Sequence, residues 1–222
     1  MGIDFSNSFP VDRGLGYPCQ VIKMNGRTHA ITGGLITGAL LTANTAPTTD
    51  TFVLMVVGTL GALLPDIDRT NTDITQMITR SESKSSFMQN IFKISILNIA
   101  GILLSLYVFK NSYPLILGVY LSLASLTSHR TLTHSLLSLG IVMGLVFLIT
   151  ANQPVTIALG IGYGVHLLED MLTKAGIAVL YPIGKKIKLP IVTTPFAESM
   201  FLMGASLICI VKMVVNYSTA LQ

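Results

Sequence analysis

Charge is the first thing this chain lacks. Only 11% of its 222 residues are Asp, Glu, Lys or Arg, and 51% are hydrophobic; a soluble domain usually carries about 25% charged residues. With a mean hydropathy of +0.69, too little polar surface is left to keep a globule of this size in water. Cysteine is scarce as well. Cys19 lies near the N-terminus and Cys209 inside an apolar stretch, which excludes a disulfide scaffold and any cysteine-based metal or redox spacing. There is no internal repeat and no basic run with interleaved aromatics; the formal net charge is +4, and the densest basic cluster is Lys185, Lys186 and Lys188. No direct nucleic-acid partner is therefore expected. Excess Lys and Arg have another explanation in a membrane protein, whose cytoplasmic loops collect them.

Residues 1–23 hold Asp4, Asp12, Arg13 and two prolines but no apolar core, so they read as neither a signal peptide nor a spanning helix. They form an N-terminal extension, dispensable if synthesis starts at Met24, ahead of one membrane domain over 24–222. Apolar segments then recur at 30–46, 51–65, 94–109, 113–127, 134–150, 154–168 and 199–216. Each is at or below the ~17–25 residues usually needed to span a bilayer as a helix. The breaks between them carry turn chemistry, as in Ala46-Pro47, Lys110-Asn111-Ser112 and Asn152-Gln153-Pro154. Short connections favour antiparallel hairpins, so the expected fold is an all-α, polytopic membrane helical bundle of about six or seven apolar helices. Longer polar loops fall near 66–93 and 170–198. Nearly every basic residue outside the extension falls in alternate breaks, which places those loops on the cytoplasmic side. The lysines at 185–188 are expected to anchor their loop to anionic headgroups of the membrane lipids.

The four histidines, at 29, 129, 134 and 166, all fall at the cytoplasmic ends of apolar segments on this topology. So do Asp66 and Asp68 in Leu64-Pro65-Asp66-Ile67-Asp68, Asp170 at the end of the sixth segment, and Glu198 at the start of the seventh. Ionisable groups in or next to lipid are costly, and their gathering on one side favours a shared site. His166 and Asp170 are four apart and project from one helix face, with Glu169 directed elsewhere, to solvent or a helix partner. An extended turn after Pro65 is expected to aim Asp66 and Asp68 the same way. A break at Thr131–Thr133, with Thr133 capping the next helix, would bring His129 and His134 together. Imidazole nitrogens with carboxylate oxygens suit zinc, manganese or iron. The donors suffice for two ions.

These residues carry a resemblance. Arg27-Thr28-His29, Leu64-Pro65-Asp66-Ile67-Asp68, His129-Arg130 with Thr133-His134-Ser135, Gly164-Val165-His166-Leu167-Leu168-Glu169-Asp170, Thr173-Lys174-Ala175-Gly176 and Leu180-Tyr181-Pro182 stand in an order and spacing that resemble the YdjM-like family of LexA-regulated, inner-membrane-associated metal-dependent hydrolases. The resemblance covers 24 to about 205. It implies an SOS-response setting, a multi-pass protein of the bacterial inner (cytoplasmic) membrane, and a divalent metal, zinc first. His29, Asp66, Asp68, His129, His134, His166 and Asp170 match the family's metal-binding positions, and Glu198 is a further match. Two positions depart from the pattern: Arg69 stands where the family often has histidine, and Thr131 where it often has glycine. The family is also distantly similar to zinc-dependent phospholipases C and nucleases, which are all-helical phosphodiesterases.

The expected activity is metal-dependent hydrolysis at the cytoplasmic membrane face, with metal-activated water attacking a phosphoester or lipid substrate. Asp68 or Glu198 is the candidate general base, and Arg130 the candidate holder of a phosphate oxygen. The alternative is a divalent-cation or proton-coupled transporter. That function would set ionisable groups near the bilayer midplane, where Asn98 and Lys212 are the strongest polar exceptions in otherwise apolar segments.

Overall fold

A computed structural model describes residues 24–42, 49–68, 86–127, 130–192 and 194–220. The described residues form seven α-helices and no strand: α1 Gly26–Leu41, α2 Thr49–Leu63, α3 Ser86–Leu103, α4 Tyr113–Ala124, α5 Leu136–Thr150, α6 Gln153–Met171 and α7 Pro195–Ala220. A 3-10 turn, Pro65–Asp68, follows α2, and a π-helical turn, Leu104–Val108, extends α3. The extension at 1–23 and the polar stretch at 69–85 lie outside the described residues.

Local chemistry sets the helix ends. Asn25, Ser135 and Asn152 are N-caps whose side chains accept from the backbone N–H of Arg27, Ser138 and Val155, each satisfying a donor that the first turn leaves orphaned. Ala151 ends α5 in the left-handed region, at φ 48°, and α6 begins two residues later with a proline in its first turn. That connection forces α5 and α6 antiparallel. The cap of α5 falls on Ser135, not on Thr133, although the break expected at Thr131–Thr133 is present. The segment after Pro65 also differs from the extended turn expected. Proline's fixed φ suits the opening of a helix, and the chain winds into a 3-10 turn, where residues two apart diverge.

Small residues decide the packing. α1, α2 and α6 pack against one another, α3 pairs with α4, α5 bridges α4 and α6, and α7 lies against α1. A Cβ at Gly162 of α6 would collide with the Gly58 carbonyl oxygen of α2. One at Gly61 would strike the Leu159 carbonyl, and one at Gly33 of α1 would come within 2.5 Å of the Ala62 Cβ. Where apolar surroundings give helices no hydrophobic reason to associate, such close backbone approach supplies the van der Waals contact that holds them. Val142, Val146, Leu159, Tyr163, Leu167 and Ile177 complete the buried apolar core. Threonine hydroxyls in α1 bond back one turn, from Thr32, Thr37 and Thr42 to the carbonyls of Thr28, Gly33 and Gly38, so each stays satisfied away from water.

The outer faces are apolar. α2 exposes Phe52, Val53, Val56 and Leu60, and α7 exposes Phe196, Met203, Leu207, Ile208 and Val211. Among the described residues one helix, α7, is long and apolar enough to cross a membrane: Pro195–Thr219 has a mean hydropathy of 1.8 and is almost wholly uncovered by the rest of the bundle. The core helix of a soluble protein would be mostly covered. α2, α4 and α5, of 12 to 15 residues, are at most about 23 Å long, shorter than the ~30 Å hydrocarbon core.

Candidate metal centre

Five donor side chains from four parts of the chain converge at one end of the bundle. His29 comes from the first turn of α1, Asp66 from the 3-10 turn after α2, His134 from the loop before α5, and His166 and Asp170 from the last turns of α6. The antiparallel order of the helices produces this meeting: the starts of α1 and α5 lie beside the ends of α2 and α6. His29, His134, His166 and Asp170 are fully buried. The Asp66 side chain is 14% exposed, so the cluster opens outward at Asp66.

The imidazoles are oriented from behind. His166 Nδ1 lies 2.7 Å from the Ala62 carbonyl oxygen, one of the acceptors that the last turn of α2 leaves unpaired. A carbonyl only accepts, so Nδ1 of His166 donates. His29 Nδ1 lies 2.5 Å from Oε2 of Glu169 and donates to that carboxylate. The proton of a neutral imidazole is thereby placed on Nδ1, leaving Nε2 with its lone pair directed at the cluster. His134 sets its Nδ1 2.9 Å from the Thr133 hydroxyl. Such partners behind a histidine are what metal-binding imidazoles use to fix tautomer and ring orientation.

In front, the donors crowd. His134 Nε2 is 3.2 Å from His166 Nε2 and 3.2 Å from Asp170 Oδ2. Asp66 Oδ1 lies 3.7 Å from His134 Nε2 and 4.0 Å from His166 Nε2, and His29 Nε2 lies 3.7 Å from Asp170 Oδ1. Among the described residues two groups could hold a metal ion, His134 with His166 and Asp170, and His29 with Asp66 and His166; within each, the donor atoms lie within 4.8 Å of one another. Zinc bonds of 2.0–2.1 Å in a tetrahedron separate ligand atoms by about 3.3 Å, close to the spacing of the first group.

Charge and hydrogen bonding fit a cation. With the imidazoles neutral, the buried carboxylates of Glu169 and Asp170 face one buried guanidinium among the described residues, that of Arg130, so the buried part of the cluster carries an excess of negative charge. Asp170 Oδ2 is buried and makes no hydrogen bond, as is also true of Glu169 Oε1. Buried charge of this kind is expensive unless paired or coordinated to metal. With the carboxylate of Asp66 at the open edge counted as well, a divalent ion would balance it.

The other expected site residues have distinct places. Arg130 is 4% exposed; its guanidinium donates to Asp170 Oδ1 at 2.7 Å and to the Thr173 hydroxyl at 3.1 Å. It therefore grips a cluster carboxylate and does not stand open to a phosphate. Its backbone occupies the left-handed region, at φ 64°, strain of the kind that a functional position tolerates. Thr131 has no positive φ. Glu198 is directed to the start of α1, where Oε1 accepts from the Asn25 N–H at 2.7 Å and the Thr28 hydroxyl at 2.6 Å. Asp68 closes the 3-10 turn, its side chain outside the described set, and His129 lies outside the described residues altogether.

Of its two expected directions, solvent or a helix partner, Glu169 takes the second. It is 2% exposed and stands behind His29 of α1. The sequence holds a signal for this: His166, Glu169 and Asp170 sit at i, i+3 and i+4, on one side of a helix. A hydrogen-bonded chain steadies the neighbouring loop, running from the Tyr120 hydroxyl to Ser138 Oγ (2.8 Å), on to the Tyr163 hydroxyl (2.8 Å), and ending on the Thr133 carbonyl.

The fold and the cluster define a class, an all-helical protein with an exposed apolar helix long enough to span a membrane and a His/Asp set able to hold metal at one bundle end. Comparison with known proteins gives its family. The chain belongs to the family described as YdjM inner membrane protein, whose model matches residues 24–221. It is also similar to the uncharacterized protein YvsG of Bacillus subtilis (strain 168), 26% identical over 186 residues, which cover 83% of this chain and 91% of that protein. No solved structure matches significantly.

Proposed function

We propose that the chain is a multi-pass enzyme of the bacterial inner membrane, a metal-dependent hydrolase of phosphoesters or lipids at the cytoplasmic face. The observation that carries this reading is the convergence of the Nε2 atoms of His134 and His166, 3.2 Å apart, on an Asp170 oxygen without a hydrogen bond. His134, His166 and Asp170 would hold the ion, zinc first with manganese or iron as alternatives, and His29 and Asp66 would complete its surroundings or hold a second. A divalent ion there supplies Lewis acidity, acidifying water and polarising a phosphoryl or carbonyl oxygen. The chain supplies the rest. Arg130 keeps Asp170 in place through Oδ1, leaving Oδ2 for the ion, and Glu169 and the Ala62 carbonyl hold two imidazoles in the ligating tautomer. Asp66, at the open edge, is the carboxylate that an incoming substrate meets first.

Several helices shorter than the bilayer core would cross it as a packed group, with local thinning or flanking polar residues making up the length. The apolar outer faces of α2 and α7 support that placement. The test is metal content of detergent-purified protein beside His134→Ala and His166→Ala, followed by a phosphoester screen of the loaded protein. Stoichiometric zinc or manganese that falls in both folded variants, with hydrolysis falling alongside, is the expected result. Folded protein that takes up no metal on reconstitution would end the hydrolase assignment.

A further inference from the structure

The segment between α6 and α7 sorts its side chains in an unusual way. Its backbone is fastened to the end of the bundle that bears the cluster: Leu189 N–H donates to the Met171 carbonyl at 2.6 Å, Ile177 and Ile187 exchange both backbone bonds at 3.0 and 2.8 Å, and Leu136 N–H donates to Val179 at 2.9 Å. Ile177, Ala178 and Val192 are buried and clip it to the core. The apolar side chains between those clips face outward instead, with Ile183 79% and Ile191 70% exposed, together with Leu180, Ile187 and Leu189. Interleaved with them are Lys185, Lys186 and Lys188, all exposed, and no acidic residue lies between Thr173 and Ala197. Three residues beyond Val192 begins α7, the apolar helix able to span, with Phe196 exposed in its first turn.

We infer that residues 180–191 form a membrane-inserting loop that binds anionic phospholipid headgroups in the leaflet α7 enters, its isoleucines and leucines reaching the acyl boundary and its lysines pairing with phosphates. Two observations point to this occupant. Apolar side chains fixed outward by a hydrogen-bonded backbone are unfavourable in water and favourable at the acyl boundary. The alternating lysines match anionic headgroups in charge, and their long apolar stems let the ammonium groups reach headgroup level while the neighbours go deeper. Because the same backbone is bonded to Met171, Leu172 and the Arg130 carbonyl, the loop holds the Asp66–Asp170 cluster at a fixed depth beside the lipid surface. The inference needs α7 in a bilayer and does not depend on what the cluster catalyses.

The chain contains no tryptophan, so Ile183→Trp introduces a single fluorescent probe at a well-exposed position. The full-length variant is reconstituted in vesicles of equimolar phosphatidylcholine and phosphatidylglycerol, with one lipid or the other brominated on its chains. The expected result is blue-shifted emission shielded from acrylamide, with quenching by brominated phosphatidylglycerol about twofold or more above that by brominated phosphatidylcholine. Adding Lys185→Gln, Lys186→Gln and Lys188→Gln should abolish that preference while helical content is unchanged. Emission at the water wavelength with free access to acrylamide would overturn the inserted loop, and equal quenching by the two lipids would overturn the anionic recognition. Ile191→Trp repeats the measurement independently.

Discussion

Glu169→Gln tests whether the carboxylate behind His29 prepares that imidazole for metal. The carboxylate Oε2 sits 2.5 Å from Nδ1 of His29, and its other oxygen has no hydrogen-bond partner, so the whole group serves one contact. Glutamine preserves the shape and can present its amide oxygen to the same N–H, but it removes the negative charge that makes the ring a stronger donor of its Nε2 lone pair. Loss of such a partner lowers metal affinity about 10- to 100-fold, or roughly 1.4–2.7 kcal/mol. Glutamine should fall near the lower end and Glu169→Ala near the upper, because alanine also frees the ring to rotate. The assay is zinc titration of metal-depleted, detergent-purified protein against a competing chelator, with helical content checked by circular dichroism. Glu198→Gln is the control. It weakens the tie between Glu198 and the start of α1, costing about 1 kcal/mol of stability, but should leave zinc affinity within about twofold. Folded Glu169 variants with unchanged affinity would refute the assignment of His29 as a ligand prepared by Glu169.

Three other outcomes follow from the same geometry. Chelation should lower the thermal midpoint and re-addition restore it, since about 100-fold excess of free metal over Kd adds roughly 2.7 kcal/mol; a midpoint indifferent to chelator would contradict a filled site. Gly162→Ala drives a methyl group into the Gly58 carbonyl and should cost about 1–3 kcal/mol or more, whereas Gly144→Ala, with nothing within 4 Å of the new Cβ, should be neutral or stabilising by up to about 1 kcal/mol. Thermal unfolding in one detergent compares the two. Tyr163→Phe removes the hydroxyl that joins Ser138 to the Thr133 carbonyl; it should cost about 1–3 kcal/mol and loosen the His134 loop, readable as faster amide exchange at 131–135.

Much of the site is legible in the order of residues because lipid makes charge conspicuous. In a chain with 11% charged residues, histidines and aspartates at segment ends stand out, and an alternating helical hairpin order puts those ends together without knowledge of side-chain contacts. His29, Asp66, His134, His166 and Asp170 stand out in this way, and all five meet. Glu169 is harder to read. A one-residue step along a helix rotates a side chain by about 100°, which separates it from Asp170, while its i+3 relation to His166 returns it to the same side. Arg130 has the charge to face a substrate; its guanidinium goes instead to Asp170 and Thr173, from a left-handed backbone that no local pattern announces. The turn at Asp66 and Asp68 is ambiguous in sequence because the same proline can open a helical turn or an extended one.

Hydropathy, turn chemistry and the cost of charge near lipid all act locally along the chain. From them alone follow an all-helical chain, apolar segments with short antiparallel connections, and the end of the bundle at which ionisable residues collect. Which groups become partners is a matter of packing. Gly58, Gly61 and Gly162 let α2 and α6 approach backbone to backbone, and that approach brings the Ala62 carbonyl within 2.7 Å of His166. The orientation of each imidazole, the engagement of Arg130 and the burial of Glu169 all depend on distances between residues far apart in sequence, and such distances are set by how the helices pack.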